Sequence, residues 1–238
     1  MKELNTMLEI KNLTKTLGDK LILKNVTMSL DEGELIAIIG PNGAGKTTFF
    51  KCLVGLLKPT GGELFLDGKA VKVGTLKKKI GFLGHESFLY NTMTPLENLR
   101  FYGKLYEVKD LEDKIYALLK EIGLYFFKDT SIRSFSRGMI QRLAIAKVLL
   151  PDPTILLLDE PHTGLDLEAV SLLNKILIEK KKAGKSILLI SHDYEQVQSL
   201  TDRVALLNKG KIEDMIELKN SSDFILVKQW YEEVVSKR

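Results

Sequence analysis

The chain of 238 residues is 45% hydrophobic and 28% charged, a composition that excludes a disordered or collagen-like protein. Its 35 basic and 31 acidic residues give a formal charge of +4, and because these charges are interspersed they indicate no nucleic-acid partner. The single cysteine, Cys52, excludes a disulfide framework and a multi-cysteine metal cluster. We therefore expect one globular unit with a sizeable core.

Membrane-directing segments are not apparent in the sequence. No hydrophobic run approaches the ~18 residues that a membrane-spanning helix needs, and runs such as 35–39 and 155–158 end at a glycine or an acid. The first residues include Lys2, Glu3 and Asn5 rather than the apolar stretch of a signal peptide. We expect no direct membrane insertion and a cytoplasmic location.

Short hydrophobic runs predict β-strands, and stripes at helical spacing predict helices between them. The helical stripes cover residues 111–122, before Gly123, and 169–177, before a lysine run and Gly184. Continuous runs are typical of interior parallel strands, and the alternating first runs are typical of half-exposed strands. The predicted strands lie near residues 8–13, 22–28, 35–39, 64–66, 80–83, 155–158, 187–190 and 204–207.

These elements predict an α/β protein with a helical insertion. Core strands would come from about residues 1–85 and 150–215, and the mostly helical insertion would cover about 86–149. The remaining tail, about 216–238, is interpreted either as a contact surface or as a helix. We favour a helix that docks on the core through Phe224, Val227 and Trp230.

The clearest motif follows the run 35–39 and precedes a helical stretch. It satisfies the pattern GxxxxGK[ST], whose backbone amides and helix N-terminus bind phosphates. Lys46 would bridge the β- and γ-phosphates, Thr47 would ligate Mg²⁺, and Thr48 would donate to the α-phosphate. A glycine-rich turn beside a lysine is the alternative, which the strand-loop-helix context disfavours. The motif consists of Gly40, Pro41, Asn42, Gly43, Ala44, Gly45, Lys46 and Thr47.

Two acidic residues and a histidine follow later hydrophobic runs. Carboxyl ends of parallel strands present ligand-binding groups at one edge of a sheet, so Asp159 would hold Mg²⁺ and Glu160 would act as general base. His192 would reach the γ-phosphate from the same edge. The alternatives are an acidic strand-to-turn exit and a structural or surface histidine.

A further segment gives these motifs a common context. Residues 134–142 read Ser-Phe-Ser-Arg-Gly-Met-Ile-Gln-Arg and lie upstream of Asp159. With the phosphate loop, the acidic pair, the turn at 164–166 and His192, in this order, they resemble the ATP-binding cassette (ABC) ATPase family. The resemblance extends to about residue 215. It implies a single domain with a P-loop NTPase core, a mixed sheet, an N-terminal antiparallel β subdomain and an inserted helical subdomain.

The resemblance also implies an activity and partners. It implies Mg²⁺-dependent ATP hydrolysis in a head-to-tail dimer, where each ATP lies between one subunit's phosphate loop and the other's signature segment. Ser136 and Gly138 match that signature, Arg137 stands where the family usually has a glycine, and Asp166 belongs to the nucleotide-binding set. Alone, Ser136 would be interpreted as a helix N-cap. Integral membrane permease subunits, at the inner face of the cell membrane, would be the other partners.

Two positions depart from the family pattern. His85 stands where a glutamine usually ligates Mg²⁺ near the γ-phosphate, and because histidine binds a metal only when neutral, we expect an added pH dependence. Leu17 stands where an aromatic ring usually stacks on adenine, so we expect lower base selectivity.

The segment around Gly84-His85 and residues 94–102 resembles the haem-exporter or cytochrome c maturation branch and, more broadly, ABC-2 exporters. Residues 94–102 also predict a helix start, with Thr94 as N-cap, Pro95 next and Glu97 completing a capping box. We predict the ATP-hydrolysing subunit of an ABC transporter, with export favoured. Other hypotheses are a soluble assembly ATPase, as in iron–sulfur cluster assembly, a DNA-repair or translation-factor protein, and a regulatory nucleotide-binding module.

Overall fold

Two β-sheets and several α-helices form the chain in a computed structural model, which describes residues 5–72, 74, 76 and 79–236. The described strands are β1 (Thr6–Leu17), β2 (Lys20–Asp31), β3 (Leu35–Ile39), β4 (Gly61–Leu66), β5 (Lys69–Val71), β6 (Ile80–Leu83), β7 (Ile155–Asp159), β8 (Ser186–Ile190), β9 (Arg203–Asn208) and β10 (Lys211–Glu217). The described α-helices are α1 (Lys46–Leu53), α2 (Pro95–Leu105), α3 (Leu111–Glu121), α4 (Arg137–Leu149), α5 (Leu167–Lys182), α6 (Tyr194–Leu200) and α7 (Ser221–Ser236).

The smaller sheet is antiparallel, with strand order β2-β1-β4-β5. Residues of β1 and β2 alternate between buried and more exposed positions over much of their length, as predicted for half-exposed strands. Leu8, Ile10 and Leu13 of β1 are fully buried in one hydrophobic cluster with Phe49 and Phe50 of α1. This sheet therefore covers the helix that follows the phosphate loop.

The larger sheet has the order β10-β9-β3-β8-β7-β6 and holds the residues of the site at one edge. Strands β9, β3, β8, β7 and β6 are parallel, while β10 returns antiparallel to β9. Every residue of β3, β7 and β8 is buried, which confirms the prediction of interior parallel strands. Because β3 and β7 both pair with β8, the loops after all three open at the same edge.

Helices α2, α3 and α4, which we call the helical lobe, lie between β6 and β7 in the chain. The predicted capping box at the start of α2 is present, since Thr94 Oγ1 accepts from the Glu97 amide at 3.2 Å. Glu97 Oε2 in turn accepts from the Thr94 amide at 2.8 Å. Pro95 occupies the first turn, where its missing N–H costs no hydrogen bond.

The tail forms the docked helix that the sequence favoured. Phe224 and Val227 of α7 are buried in a cluster with Val204 and Leu206 of the larger sheet. Trp230 Nε1 donates to Glu213 Oε2 at 3.0 Å and ties α7 to β10. None of the described helices has the length and apolar character needed to cross a lipid bilayer.

Candidate nucleotide-binding site

A cleft of about 650 Å³ opens at the carboxyl edge of the larger sheet. It brings together the phosphate loop after β3, His85 after β6, the acidic pair at the end of β7 and His192 after β8. Its lining residues are Ile22, Asn42, Gly43, Ala44, Gly45, Lys46, Thr47, Thr48, His85, Asp159, Glu160, Thr163, Ile190 and His192.

The backbone of the phosphate loop needs glycine at specific positions. Gly43 and Gly45 have φ angles of 79° and 108°, in the left-handed region that side chains disfavour. At Gly40 the requirement is space instead, because a Cβ there would lie 1.9 Å from the carbonyl oxygen of Leu207 in β9. The loop is thus packed between β9 and the start of α1, where the helix N-terminus and its dipole favour an anion.

Lys46 is buried at the start of α1, and its ammonium stays inside the loop. Its Nζ donates to the carbonyl oxygens of Gly40 at 2.6 Å and Pro41 at 3.2 Å. A buried lysine needs such compensation. The contact places a fixed positive charge on the floor of the cleft.

Asp159 and Glu160 supply the negative charge opposite the phosphate loop. Both carboxylate oxygens of Asp159 and Oε1 of Glu160 are buried, and the described residues offer none of them a hydrogen bond. Glu160 also has a φ of 55°, an uncommon value for a residue other than glycine. Unsatisfied buried acceptors and a strained backbone both cost free energy, and both are typical of sites built for a ligand or for chemistry.

His192 faces Glu160 across the cleft. Its Nε2 lies 3.0 Å from Glu160 Oε1, an ion-pair distance, although the two groups are not aligned as a hydrogen bond. Burial lowers the pKa of His192 below its ordinary value, Glu160 opposes that shift, and the ammonium of Lys46 adds to it. The imidazole is therefore neutral at neutral pH, with one nitrogen able to donate and one able to accept.

His85 enters the cleft from the loop after β6. Its Nε2 lies 3.7 Å from Asp159 Oδ2, while most of the side chain is exposed. The structure therefore brings His85 beside the same carboxylate that the sequence assigns to the metal.

Six predicted nucleotide-binding residues do not line this cleft: Gly40 and Pro41 at the start of the phosphate loop, and four residues of other segments. Ser136 caps α4 by accepting from the Met139 amide at 3.2 Å, and Asp166 caps α5 by accepting from the Ala169 amide at 2.8 Å. Gly138 lies where α4 approaches α5. Leu17 is exposed at the end of β1. The site residues thus divide into a group inside the cleft and a group outside it.

Arg137 connects two segments of the second group. Its guanidinium lies against Gly164, whose φ is +73°, and a Cβ at Gly164 would come within 2.4 Å of that group. The arginine at the signature position therefore covers the loop that follows Glu160, a long-range contact that sequence spacing does not predict.

Thr163 belongs to the cleft, although the sequence indicated only a turn there. It lines the cleft, and its hydroxyl donates to Glu160 Oε2 at 3.4 Å. Its position three residues after Glu160, in a tight turn, was the available signal. The third histidine, His162, is buried beneath this turn and pairs with Asn174 Oδ1 at 2.8 Å, a packing role outside the cleft.

Comparison with known proteins identifies the family. Residues 23–163 match the family model described as "ABC transporter". The lantibiotic transport ATP-binding protein SrtF of Streptococcus pyogenes is 37% identical over 206 residues, which cover 87% of this chain and 89% of SrtF. The chain belongs to the ABC transporter ATP-binding family, and it is an ATP-binding, ATP-hydrolysing subunit of this class.

Solved structures agree with this assignment. The ATP-binding subunit of an ABC transporter superposes with a TM-score of 0.86 at 30% identity, covering 97% of this chain and all of that one. The ATP-binding cassette MJ0796, a dimeric post-hydrolysis state bound to ADP and Pi, gives 0.77 at 29% identity, covering 90% of this chain and all of that one. The predicted P-loop NTPase fold is confirmed.

Proposed function

We propose that the cleft binds ATP with Mg²⁺ and that Glu160 and His192 carry out the hydrolysis that powers transport. The observation that carries this proposal is the set of buried, unsatisfied carboxylate oxygens on Asp159 and Glu160 facing a phosphate-binding loop. Such oxygens are suited to bind a cation and to accept a proton from an attacking water. A purely structural acidic turn would not require buried oxygens without hydrogen bonds.

Phosphate binding would use the loop as the sequence predicts. Residues 42–48 line one side of the cleft, and Lys46 would supply the charge that neutralises the β- and γ-phosphates. To reach a phosphate, the ammonium exchanges its bonds to Gly40 and Pro41 for bonds to phosphate oxygens. A phosphate oxygen carries negative charge and attracts the ammonium more strongly than a neutral carbonyl does, so that exchange is favourable.

The residues present fit a Mg²⁺ ion. No group of three or more histidine, cysteine, aspartate or glutamate side chains suited to a metal occurs within the described ranges. Mg²⁺ usually takes one or two protein oxygens and completes its shell with phosphates and water, and the Thr47 hydroxyl and a buried oxygen of Asp159 offer two such ligands in the cleft. Thr47 and Asp159 would hold it, with His85 beside Asp159. The ion would neutralise charge on the transferring phosphate.

Hydrolysis needs a base for water and a group at the γ-phosphate. Glu160 is largely buried, is held by Thr163 and has one unsatisfied oxygen, so it would accept a proton from water. His192, whose Nε2 lies 3.0 Å from Glu160 Oε1, has a single N–H when neutral, and it would donate that N–H to a γ-phosphate oxygen.

Glu160→Gln tests this assignment against Glu63→Gln, an exposed glutamate on β4. The Glu160 variant should keep ATP binding and lose turnover by about 10²-fold or more, because the base is lost while the phosphate contacts remain. The Glu63 variant should match the wild type. Sustained hydrolysis by Glu160→Gln would show that another group activates water.

A second copy of the chain would complete the site. Ser136 and Gly138 lie outside their own chain's cleft, at the N-terminus of α4, which suits them to contact the ATP of a partner. The likeness to a dimeric cassette supports this arrangement. Sedimentation of Glu160→Gln with ATP should show a dimer. The added substitution Ser136→Ala should weaken that dimer, and an unchanged dimer would contradict the role of Ser136.

The membrane partner would dock on an aromatic patch beside the loop that follows β6. Phe88, Tyr90, Phe101, Leu105 and Tyr106 are all exposed, and Tyr90 and Phe101 stack edge to face at 4.9 Å. Clustered exposed aromatic residues are typical of interfaces. A permease there would hold the chain at the inner face of the cell membrane, and the resemblance of residues 84–102 to exporters favours export.

Copurification with the membrane subunit tests this docking. Tyr106→Ser should reduce the amount retained, whereas Phe126→Ser should not, since Phe126 is 94% exposed but lies outside the patch. Equal retention of the Tyr106 variant and the wild type would place the membrane partner elsewhere.

A further inference from the structure

Lys147 is a buried lysine for which the proposed hydrolysis has no use. It lies in the last turn of α4 and is 7% exposed. Within the described part of the chain, no carboxylate forms an ion pair with it. An apolar side chain would fill such a place at lower cost, so a lysine here calls for a reason.

Two of the three contacts of Lys147 lie in one segment, residues 84–94, which we call the His85 loop, and the third is Tyr102 of α2. The Nζ of Lys147 donates to the carbonyl oxygen of Ser87 at 2.6 Å. The ammonium also lies 5.7 Å from the ring centroid of Phe88 and 5.0 Å from that of Tyr102. These distances are those of cation–π contacts, so the charge is solvated by one carbonyl and two ring faces.

Two further side chains of α2 fasten the same loop. The Tyr102 hydroxyl donates to the Phe88 carbonyl. Asn98, fully buried, accepts from the Tyr90 amide at 2.8 Å and donates to the Tyr90 carbonyl at 3.2 Å. The backbone of the His85 loop is thus hydrogen-bonded to the helical lobe at Ser87, Phe88 and Tyr90. Of these three residues, Ser87 is the nearest to His85 in the chain.

We propose that Lys147 is a positioning residue, whose hydrogen bond to Ser87 fixes the His85 loop so that His85 faces Asp159. His85 is only two residues from the anchored carbonyl and is itself mostly exposed, with Asp159 at 3.7 Å as its contact in the cleft. Without the anchor, the short link 85–87 would let the imidazole leave the carboxylate. The expected effect on turnover rests on the proposed function. The expected effect on the position of His85 rests only on the loop contacts.

The chain has three histidines, so the imidazole resonances of the nucleotide-free protein can be assigned by NMR, with His85→Gln identifying that of His85. Lys147→Met should shift or broaden the His85 resonance, because methionine fills the space but cannot bond Ser87. Lys147→Arg, which keeps the positive charge and the hydrogen-bond donors, should give the His85 resonance of the wild type. Lys104→Met, an exposed lysine on α2, is the matched control and should leave it unchanged.

Turnover provides the second measurement. Lys147→Met should lower kcat about tenfold, within the loss that a misplaced group causes, while KM for ATP changes little because the phosphate loop is intact. An unchanged His85 resonance in folded Lys147→Met would overturn the proposal, as would an equal change in Lys104→Met.

If Lys147→Met does not fold, Lys147→Gln decides the question, since its side chain stays polar but is one atom shorter than lysine and loses the bond to the Ser87 carbonyl. It should change the His85 resonance, and no change would overturn the proposal. The resonance needs no nucleotide. A wild-type protein that hydrolysed no ATP would therefore refute the proposed function without touching this inference.

Discussion

Burying Lys147 makes the stability of the protein depend on pH in a specific way. Burial lowers the pKa of this lysine from 10.5 to about 8. At about 1.4 kcal/mol per pH unit, the charged form costs the folded state about 3 kcal/mol relative to the neutral amine. Between these two pKa values the unfolded chain holds the proton and the folded chain does not, so stability rises with pH across this range.

Lys147→Met removes this dependence, which isolates the effect. Between about pH 7 and about pH 10, the unfolding free energy of the wild type should rise by roughly 2 to 3 kcal/mol relative to that of Lys147→Met. Burial raises the pKa values of Tyr102 and Tyr106, and Glu107 lines a cavity together with Lys147. These three groups are present in both proteins, so their contributions to the pH dependence largely cancel.

Urea unfolding at both pH values, followed by circular dichroism and by the fluorescence of the single tryptophan, Trp230, measures the difference. Coincident transitions would justify a two-state treatment. Lys104→Met, at an exposed lysine, should show no such pH-dependent change. A difference between the wild type and Lys147→Met that stays constant within about 0.5 kcal/mol would refute the reasoning, because the ammonium would then be hydrated in the folded state.

Three other changes test separate features. Gly40→Ala should destabilise the fold by about 3 kcal/mol and abolish ATP binding, since its Cβ would overlap the Leu207 carbonyl, while Gly61→Ala, whose nearest contact is at 3.9 Å, should be tolerated in urea unfolding. Leu17→Tyr should raise ATP affinity up to about tenfold by calorimetry, because a tyrosine ring would stack on adenine where leucine does not. An unchanged affinity would contradict this, as would a strong preference of the wild type for ATP over GTP. Thr94→Ala should cost about 1 kcal/mol in unfolding free energy through the lost cap, and an unchanged value would show that the capping box contributes nothing.

The sequence predicted what local patterns determine. Buried strands such as β7 and β8 are continuous hydrophobic runs, and the phosphate loop and the capping box at Thr94 have fixed spacings. Strand β10 was missed because a bulge between Ile212 and Asp214 breaks its alternation. Strand β5 was missed because it has only three residues.

Contacts between distant segments could not be predicted. The bond from Lys147 to Ser87 joins residues 60 positions apart, and lysine in a helix is usually exposed, so composition suggested nothing unusual there. Two other contacts likewise depend on how loops meet at the edge of the sheet. One is the packing of Arg137 against Gly164, and the other is the hydrogen bond from the Thr163 hydroxyl to Glu160. Such contacts determine the detail of the site, and they arise from the fold rather than from spacing.

The two capping residues outside the cleft differ in what they can offer a second molecule's ATP. Ser136 uses a lone pair to accept from the Met139 amide, so its hydroxyl proton is still available for a phosphate oxygen. Asp166 accepts from the Ala169 amide through a carboxylate, which has no proton to donate and repels a phosphate. Capping and phosphate binding are therefore compatible at Ser136. At Asp166, capping is compatible only with contacts to hydrogen-bond donors or cations, such as ribose hydroxyls, backbone amides or a partner's cation.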